Sequence, residues 1–314
     1  MENELLRRLM LSDASFLSAR EKYLLFKKGF DLSKMTLDEI SFTVQRPFKK
    51  ALFVPPQIAK NAENALKIIR MLGIKWTMIG EDDFPAMLCE MKDPPFMLFY
   101  RGNLEILKRK CLSIVGTRRC GVNGRKAAFQ FAKEACGDGC CVVSGLAYGI
   151  DGEAHKGAVC SENPATAAVL PSGIDIITPS AHKKLAAKIL ESDGLLISEY
   201  LPGIPALPYR FIQRNRIIAA LSAETVVIQC AAGSGAMITA QMALDYDRSV
   251  IFHKECFSDE GAALSKLSEL ELSKQLAQGK KVEYKINNSP KSFVNDGASV
   301  VSSYSDFKAQ IWRN

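Results

Sequence analysis

No part of this 314-residue sequence approaches the run of ~20 apolar residues that a bilayer-spanning helix requires. A membrane-spanning helix is therefore not expected. The opening stretch "MENELLRRLMLSDASF" has no uninterrupted apolar core and no small-residue cleavage site, so no secretory signal is read there and the chain is expected to be cytoplasmic. Histidine is scarce: His155, His182 and His253 are the three, too dispersed to announce a metal site. The nine cysteines, an odd number, contain no C-x-x-C pair and no cysteine–histidine cluster with zinc spacing. They read as reduced, mostly buried small hydrophobes, and no metal is expected. Internal repeats and low-complexity tracts are missing too.

Charge is present but nearly balanced. There are 41 basic and 34 acidic side chains, a net +7. Residues 1–110 hold 19 basic against 14 acidic groups, residues 111–255 hold 14 against 13, and residues 256–314 hold 8 against 7. So small an excess permits a polyanion partner without establishing one. Placement has to decide.

Residues 1–80 read as a small helical N-terminal domain; "ENALKIIRMLG", for example, is apolar at helical spacing and is stopped by Gly73. From about Lys110 short apolar runs alternate with helical stretches: "CLSIVG", "CCVVSG", "TAAVLPSG", "LLISEY", "TVVIQC" and "SVIFH", with helix-like sequence between them. Unalternated apolar strands separated by helices indicate a parallel sheet covered on both faces. The expected fold is α/β: an extended, Rossmann-like, doubly wound and mostly parallel sheet, with its core domain over residues 81–255. Residues 256–293 are polar and weakly periodic, and read as an insertion. Residues 294–314 are expected to pack back on the core through Phe307 and Trp312.

In such a sheet, ligands bind at the carboxyl ends of the strands. Gly116, Thr117 and Arg118 follow the first strand of the alternating series and precede a helix, in a spacing that is neither G-x-G-x-x-G nor G-x-x-x-x-G-K-[ST]. Backbone N–H groups and a helix end there can receive a phosphate. A tight turn with a solvated arginine is the alternative. Ser144, Gly145 and Gly149 repeat the design after the next strand, with Asp151 and His155 on the following helix. Asp151 caps that helix or pairs with His155; with no nucleophile at readable spacing, both are taken as structural support and no catalytic residue is expected. Lys183 follows a third strand end, where it is either a wet helix face or an anion contact, and Gly233, Ser234 and Gly235 follow a further one. Arg214, Asn215 and Arg216 abut a long apolar run and read as the start of a helix, where cations oppose the macrodipole by roughly 0.3–1 kcal/mol each. A carboxylate such as Asp151, Asp175 or Glu199, or a bound phosphate, has to compensate them, so one arginine is expected to pair internally and the others to face the ligand.

At these residues the sequence resembles the bacterial DNA-processing protein A family (DprA, also called Smf). The matching elements, in the family's order, are "VGTRRCGVNG", "VVSGLAYGIDGEAH", "TAAVLPSGIDIITP", "LLISEYLPG", "FIQRNRIIAALS" and "GSGAMITAQMA". The resemblance implies a non-enzymatic protein, without a cofactor, that binds single-stranded DNA and loads the RecA recombinase during natural transformation, usually as a homodimer. It points to Arg118, the Ser144–Gly145 turn and the Arg214–Asn215–Arg216 element as DNA contacts. Tyr148, Tyr200, Tyr209 and Phe211 are candidates for base stacking or for the core. Where the family usually has tyrosine–proline and a basic residue, this chain has Thr178–Pro179–Ser180, so that contact is either lost or supplied by Lys183. Two other readings stay open: a nucleotide phosphoribohydrolase of related fold, whose glutamate is missing from "AAGSGAMITA", and an interaction protein that has lost DNA binding.

Overall fold

The computed structural model describes residues 2–49 and 53–312. Four helices come first: α1 (Glu2–Asp13), α2 (Ala19–Lys27), α3 (Leu37–Val44) and α4 (Pro55–Leu72). Local chemistry fixes their ends. Ser18 with Glu21 and Thr36 with Glu39 form capping boxes, each satisfying two N–H groups of a helix start. Helix α4 opens on proline and stops at Gly73, whose φ of 59° is the left-handed conformation glycine adopts freely.

The chain then alternates as its apolar runs require. In order come β1 (Lys75–Met78), α5 (Ala86–Cys89), β2 (Met97–Gly102), β3 (Cys111–Val115), α6 (Val122–Gly137), β4 (Cys141–Ser144), α7 (Ile150–Val159) and β5 (Thr166–Val169). They are followed by α8 (Lys183–Glu191), β6 (Leu195–Ser198), α9 (Pro208–Ala220), β7 (Glu224–Val227), α10 (Gly235–Asp245) and β8 (Ser249–His253). The polar stretch forms α11 (Asp259–Ala277), α12 (Glu283–Asn287) and α13 (Pro290–Asn295), and the chain ends with β9 (Ser299–Val301) and α14 (Tyr304–Ile311).

The described residues form one nine-stranded sheet in the order β1-β2-β6-β5-β4-β3-β7-β8-β9. Strands β3 to β9 run parallel, and β2 joins β6 antiparallel with β1 outside it. The chain walks outward from β3 through β4 and β5 to β6, then returns to place β7 on the other side of β3. The switch point therefore lies between β3 and β7.

Alternate strand residues enter different cores. Cys111, Val143, Val169, Ile197 and Val227 pack with α9 and α10 on one face. On the other face, Leu112, Val142 and Val226 pack with α6, α7 and α14, while Ala168 and Leu196 pack with α8 and the N-terminal helices. Both faces are covered, which is why the strands show no polar alternation. Seven of the nine cysteines are buried free thiols within this packing. The tail adds β9 to the sheet edge, and the Phe307 ring lies 5.7 Å from Phe131 and 4.8 Å from Trp312. Among the described residues no helix is long and apolar enough to cross a membrane.

Candidate functional site

The parallel strands all deliver their carboxyl ends to one rim, and the turns after β3 and β4 are locked together there. A Cβ on Gly149, at φ 76°, would overlap the Thr117 carbonyl oxygen and stand 2.7 Å from that of Arg118. Only glycine lets the two turns approach so closely. Gly116 is pressed in the same way against Ile150, and Thr117 donates its N–H to Gln229 O at 2.7 Å, tying in the turn after β7.

Behind this surface the β4–α7 loop is held from several sides. Asp151, buried in α7, accepts the backbone N–H groups of Gly145 and Ala147; burial pushes its carboxyl above the usual range, opposed by the nearby Arg214 charge. Arg214 donates to the carbonyls of Gly145, at 2.7 Å, and Val169. A Cβ on Gly145 would lie 2.6 Å from the Arg214 guanidinium, so the glycine makes room for it. Burial pulls Arg214 down to about 10, which leaves it charged at neutral pH. Leu146, at φ 55°, is gripped by two histidines: its N–H reaches His155 Nε2 at 3.3 Å and its carbonyl reaches His182 Nδ1 at 2.9 Å.

What this scaffold presents outward is short and specific. Arg118 is exposed, with its guanidinium 4.9 Å from the centre of the Phe211 ring. Tyr148 is half exposed and packs edge-on against His182 at 5.2 Å. Lys183 and Lys184 follow His182 and are exposed, and Tyr209 projects from the first turn of α9. No ion pair among the described residues involves Arg118, Lys183 or Lys184.

Several expected contacts turn out to be internal. Arg214 and Arg216 lie well inside α9, which starts at Pro208, so neither of them opposes the helix N-terminus; Arg210 is the cation in that first turn. Arg214 is 2% exposed and spends its guanidinium on carbonyls beneath the loop. Arg216 also faces inward, toward Glu199 at 2.5 Å and Asp93 at 3.3 Å. Asn215 accepts from Arg214 Nε at 3.3 Å and donates weakly to Gly235 O at 3.4 Å. Ser144 is fully buried, donating to Ile114 O at 2.7 Å. The N–H groups of Gly145, Leu146 and Ala147 are spent on Asp151 and His155, so those three do not open toward a ligand. Gly233 donates to Asn288 O at 2.8 Å and lies beneath Lys285, so the polar stretch covers Gly233, while Gly235 stays exposed at the start of α10. His155 does not pair with Asp151, since its ring nitrogens go to Leu146 and Thr166. Glu199 does support an arginine, and Asp175 instead accepts the Gly203 N–H at 2.8 Å.

Sequence reasoning passed over His182, Gln229 and Asp93. A glutamine closing an apolar strand end was a usable signal for Gln229; the partners of His182 and Asp93 lie too far along the chain to leave one.

Fold and rim together define a class: a doubly wound α/β protein whose strand-end turns carry unpaired cations and exposed aromatic rings. A family model described as DNA recombination-mediator protein A matches residues 75–307. The chain belongs to this DNA-processing protein A (DprA/Smf) family. It is 33% identical to Protein Smf of Borreliella burgdorferi over 257 residues, covering 81% of each chain. It is 37% identical to DNA processing protein DprA of Streptococcus pneumoniae over 191 residues, covering 61% of this chain and 64% of that one. The crystal structure of DprA from Streptococcus pneumoniae superposes with a TM-score of 0.71 at 27% identity, covering 96% of this chain and 95% of that one. DNA processing protein A of Helicobacter pylori, a structure described for its single-stranded DNA binding mode, superposes with a TM-score of 0.54 at 25% identity, covering 71% of this chain and 97% of that one.

Proposed function

We propose that the rim binds single-stranded DNA without sequence preference. In this reading Arg118 and Lys183 take backbone phosphates, and Tyr148 and Tyr209 offer faces to unstacked bases. The protein acts as a mediator, not an enzyme: it holds the strand and hands it to a RecA-type recombinase, working as a homodimer. The observation that carries this reading is Arg118 itself. It is an exposed guanidinium that forms no ion pair among the described residues, fixed on a turn that Gly149 and Gln229 hold in place. A solvated surface arginine has no need of such a mount. The relative from Helicobacter pylori, whose structure is described for its single-stranded DNA binding mode, supports the ligand class.

The test is fluorescence anisotropy with a labelled dT oligomer and a duplex of equal length. The single strand is expected to bind tighter, with affinity falling as salt rises. Arg118→Ala is expected to weaken binding about tenfold and to reduce the salt slope by about 0.7, the loss of one single-strand phosphate contact, while leaving the unfolding midpoint unchanged. Equal affinity and slope for wild type and Arg118→Ala would remove the rim from DNA binding. Adding the recombinase to the preformed complex tests the transfer step.

A further inference from the structure

The switch point between β3 and β7 is where an open α/β sheet ordinarily takes its ligand. In this chain that crevice is filled by the chain itself. Residues 254–288 cross it from end to end: Gln229 Nε2 contacts Glu255 O at 3.5 Å, Ser268 Oγ donates to Ala232 O at 2.9 Å, and Gly233 N donates to Asn288 O at 2.8 Å. Lys285 lies over Gly233, where an added Cβ would meet its Cβ at 2.7 Å. At the β3 side the Glu260 carboxylate is pressed onto Gly121, the residue that opens α6, so closely that a Cβ there would overlap it.

Two features mark this as an imperfect occupant. Glu260 Oε2 and Glu255 Oε2 are both buried without a hydrogen-bond partner. A carboxylate oxygen held out of water with no donor is destabilised relative to one that is solvated. Glu260 is also in the first turn of α11, so it lies between the positive ends of two helices, a setting that suits an anion in general rather than this side chain in particular. The Gly121 N–H itself goes to Gln229 Oε1 at 2.9 Å, so the Glu260 carboxylate stands at the start of α6, where anions are favoured, without accepting that N–H.

We propose that residues 254–288 form an autoinhibitory strap, with Glu260 standing in the seat of a strand phosphate. The inference rests on the proposed DNA-binding reading and adds its regulation. With the strap closed, a strand reaches only the half of the rim built by Arg118, Tyr148 and Lys183. With the strap displaced it gains a further phosphate seat at the start of α6.

The test uses the full chain and a labelled dT oligomer. Glu260→Gln keeps the shape and removes the charge; Ser268→Ala loosens the strap over the β7 turn with no change of charge; Glu269→Gln removes an exposed charge from the same helix away from the seat. Glu260→Gln and Ser268→Ala are expected to tighten binding several-fold, and Glu260→Gln to steepen the salt slope by about 0.7, one added phosphate contact. Glu269→Gln is expected to match wild type. Wild-type affinity in Glu260→Gln and Ser268→Ala, with Arg118→Ala still weakened, overturns the strap and leaves the rim standing. Equal gains in Glu260→Gln and Glu269→Gln also overturn it, because a general charge effect then suffices. If neither wild type nor any variant binds the oligomer, the rim and the strap fall together.

Discussion

A histidine whose two ring nitrogens are both bound inside a protein cannot take a second proton without breaking one of those bonds. His155 is such a residue. Thr166 Oγ gives its single hydrogen to Val142 O at 2.7 Å, so it accepts from His155 Nδ1–H at 2.8 Å, leaving Nε2 to accept the Leu146 N–H. Burial, reinforced by the neighbouring His182 and Arg214, pushes the ring down to about 3. In the unfolded chain a histidine takes its proton near 6.5, so between 6.5 and 3 the folded state binds fewer protons than the unfolded one. The contribution is therefore fully present above pH 6.5 and is lost as pH falls, by about 1.4 kcal/mol per unit. Asp151, raised by burial, works in the opposite sense above its ordinary range. Comparing wild type with His155→Gln cancels that opposing effect. In urea unfolding the wild type is expected to be the more stable at pH 7, with the gap narrowing by about 2 kcal/mol or more at pH 4.5. A gap independent of pH would mean that the ring takes up its proton in the fold as readily as in the unfolded chain.

Among elements, the turn between β4 and α7 determines where the rim's cation stands. Gly149 has a φ of 76°, and any side chain there strikes the Thr117 and Arg118 carbonyls. Gly149→Ala is expected to destabilise the fold by about 1–3 kcal/mol and to weaken dT binding by displacing the turn that bears Arg118. Gly235→Ala is the control, since open space surrounds its missing Cβ; it is expected to leave stability and binding nearly unchanged. Denaturation midpoints and anisotropy on the two variants check this, and similar losses in both would deny the β4–α7 turn its special place. The same scale shows what the sequence made legible. The strands β3 to β8 stood out because both faces are buried, leaving continuous apolar runs that helices interrupt. The three-residue β9 is too short to leave such a run. Arg214 and Arg216 were placed at a helix start because "LPGIPALPYRF" offers several proline starts, and the one used lies at Pro208, well before them. The strap read as a loose insertion because single polar and backbone contacts hold it over the rim, and such contacts have no period. Arg118 was legible because it follows an apolar strand directly.

Across the whole molecule, the N-terminal helices and the sheet share one apolar cluster, in which Leu9, Leu11, Leu25 and Ile69 meet Leu146, Leu170 and Leu196. Charged groups lie along the same seam. Lys22, buried in α2, donates to Ser12 O at 2.9 Å, and burial pulls it down to about 8 against the opposing charges of Glu199 and Asp13. Arg216 faces the same Glu199 and reaches Asp93 in the segment leading to β2. Arg216 thus ties α9 to the end of β6 and to the segment before β2, with its charge spent on carboxylates. Arg216→Met keeps an apolar side chain of similar length and leaves Glu199, with a side chain 16% exposed, without its ion-pair partner, with the Lys22 charge nearby. Breaking a buried pair on one side leaves its partner uncompensated, and with Lys22 still near, the expected loss is about 2–4 kcal/mol of unfolding free energy. The affinity of the folded variant for dT is expected to stay within about twofold of wild type, because its guanidinium gives no phosphate contact to lose. Urea unfolding and anisotropy on the same preparation separate the two effects. A variant with full stability and weakened binding would move Arg216 from the seam to the strand.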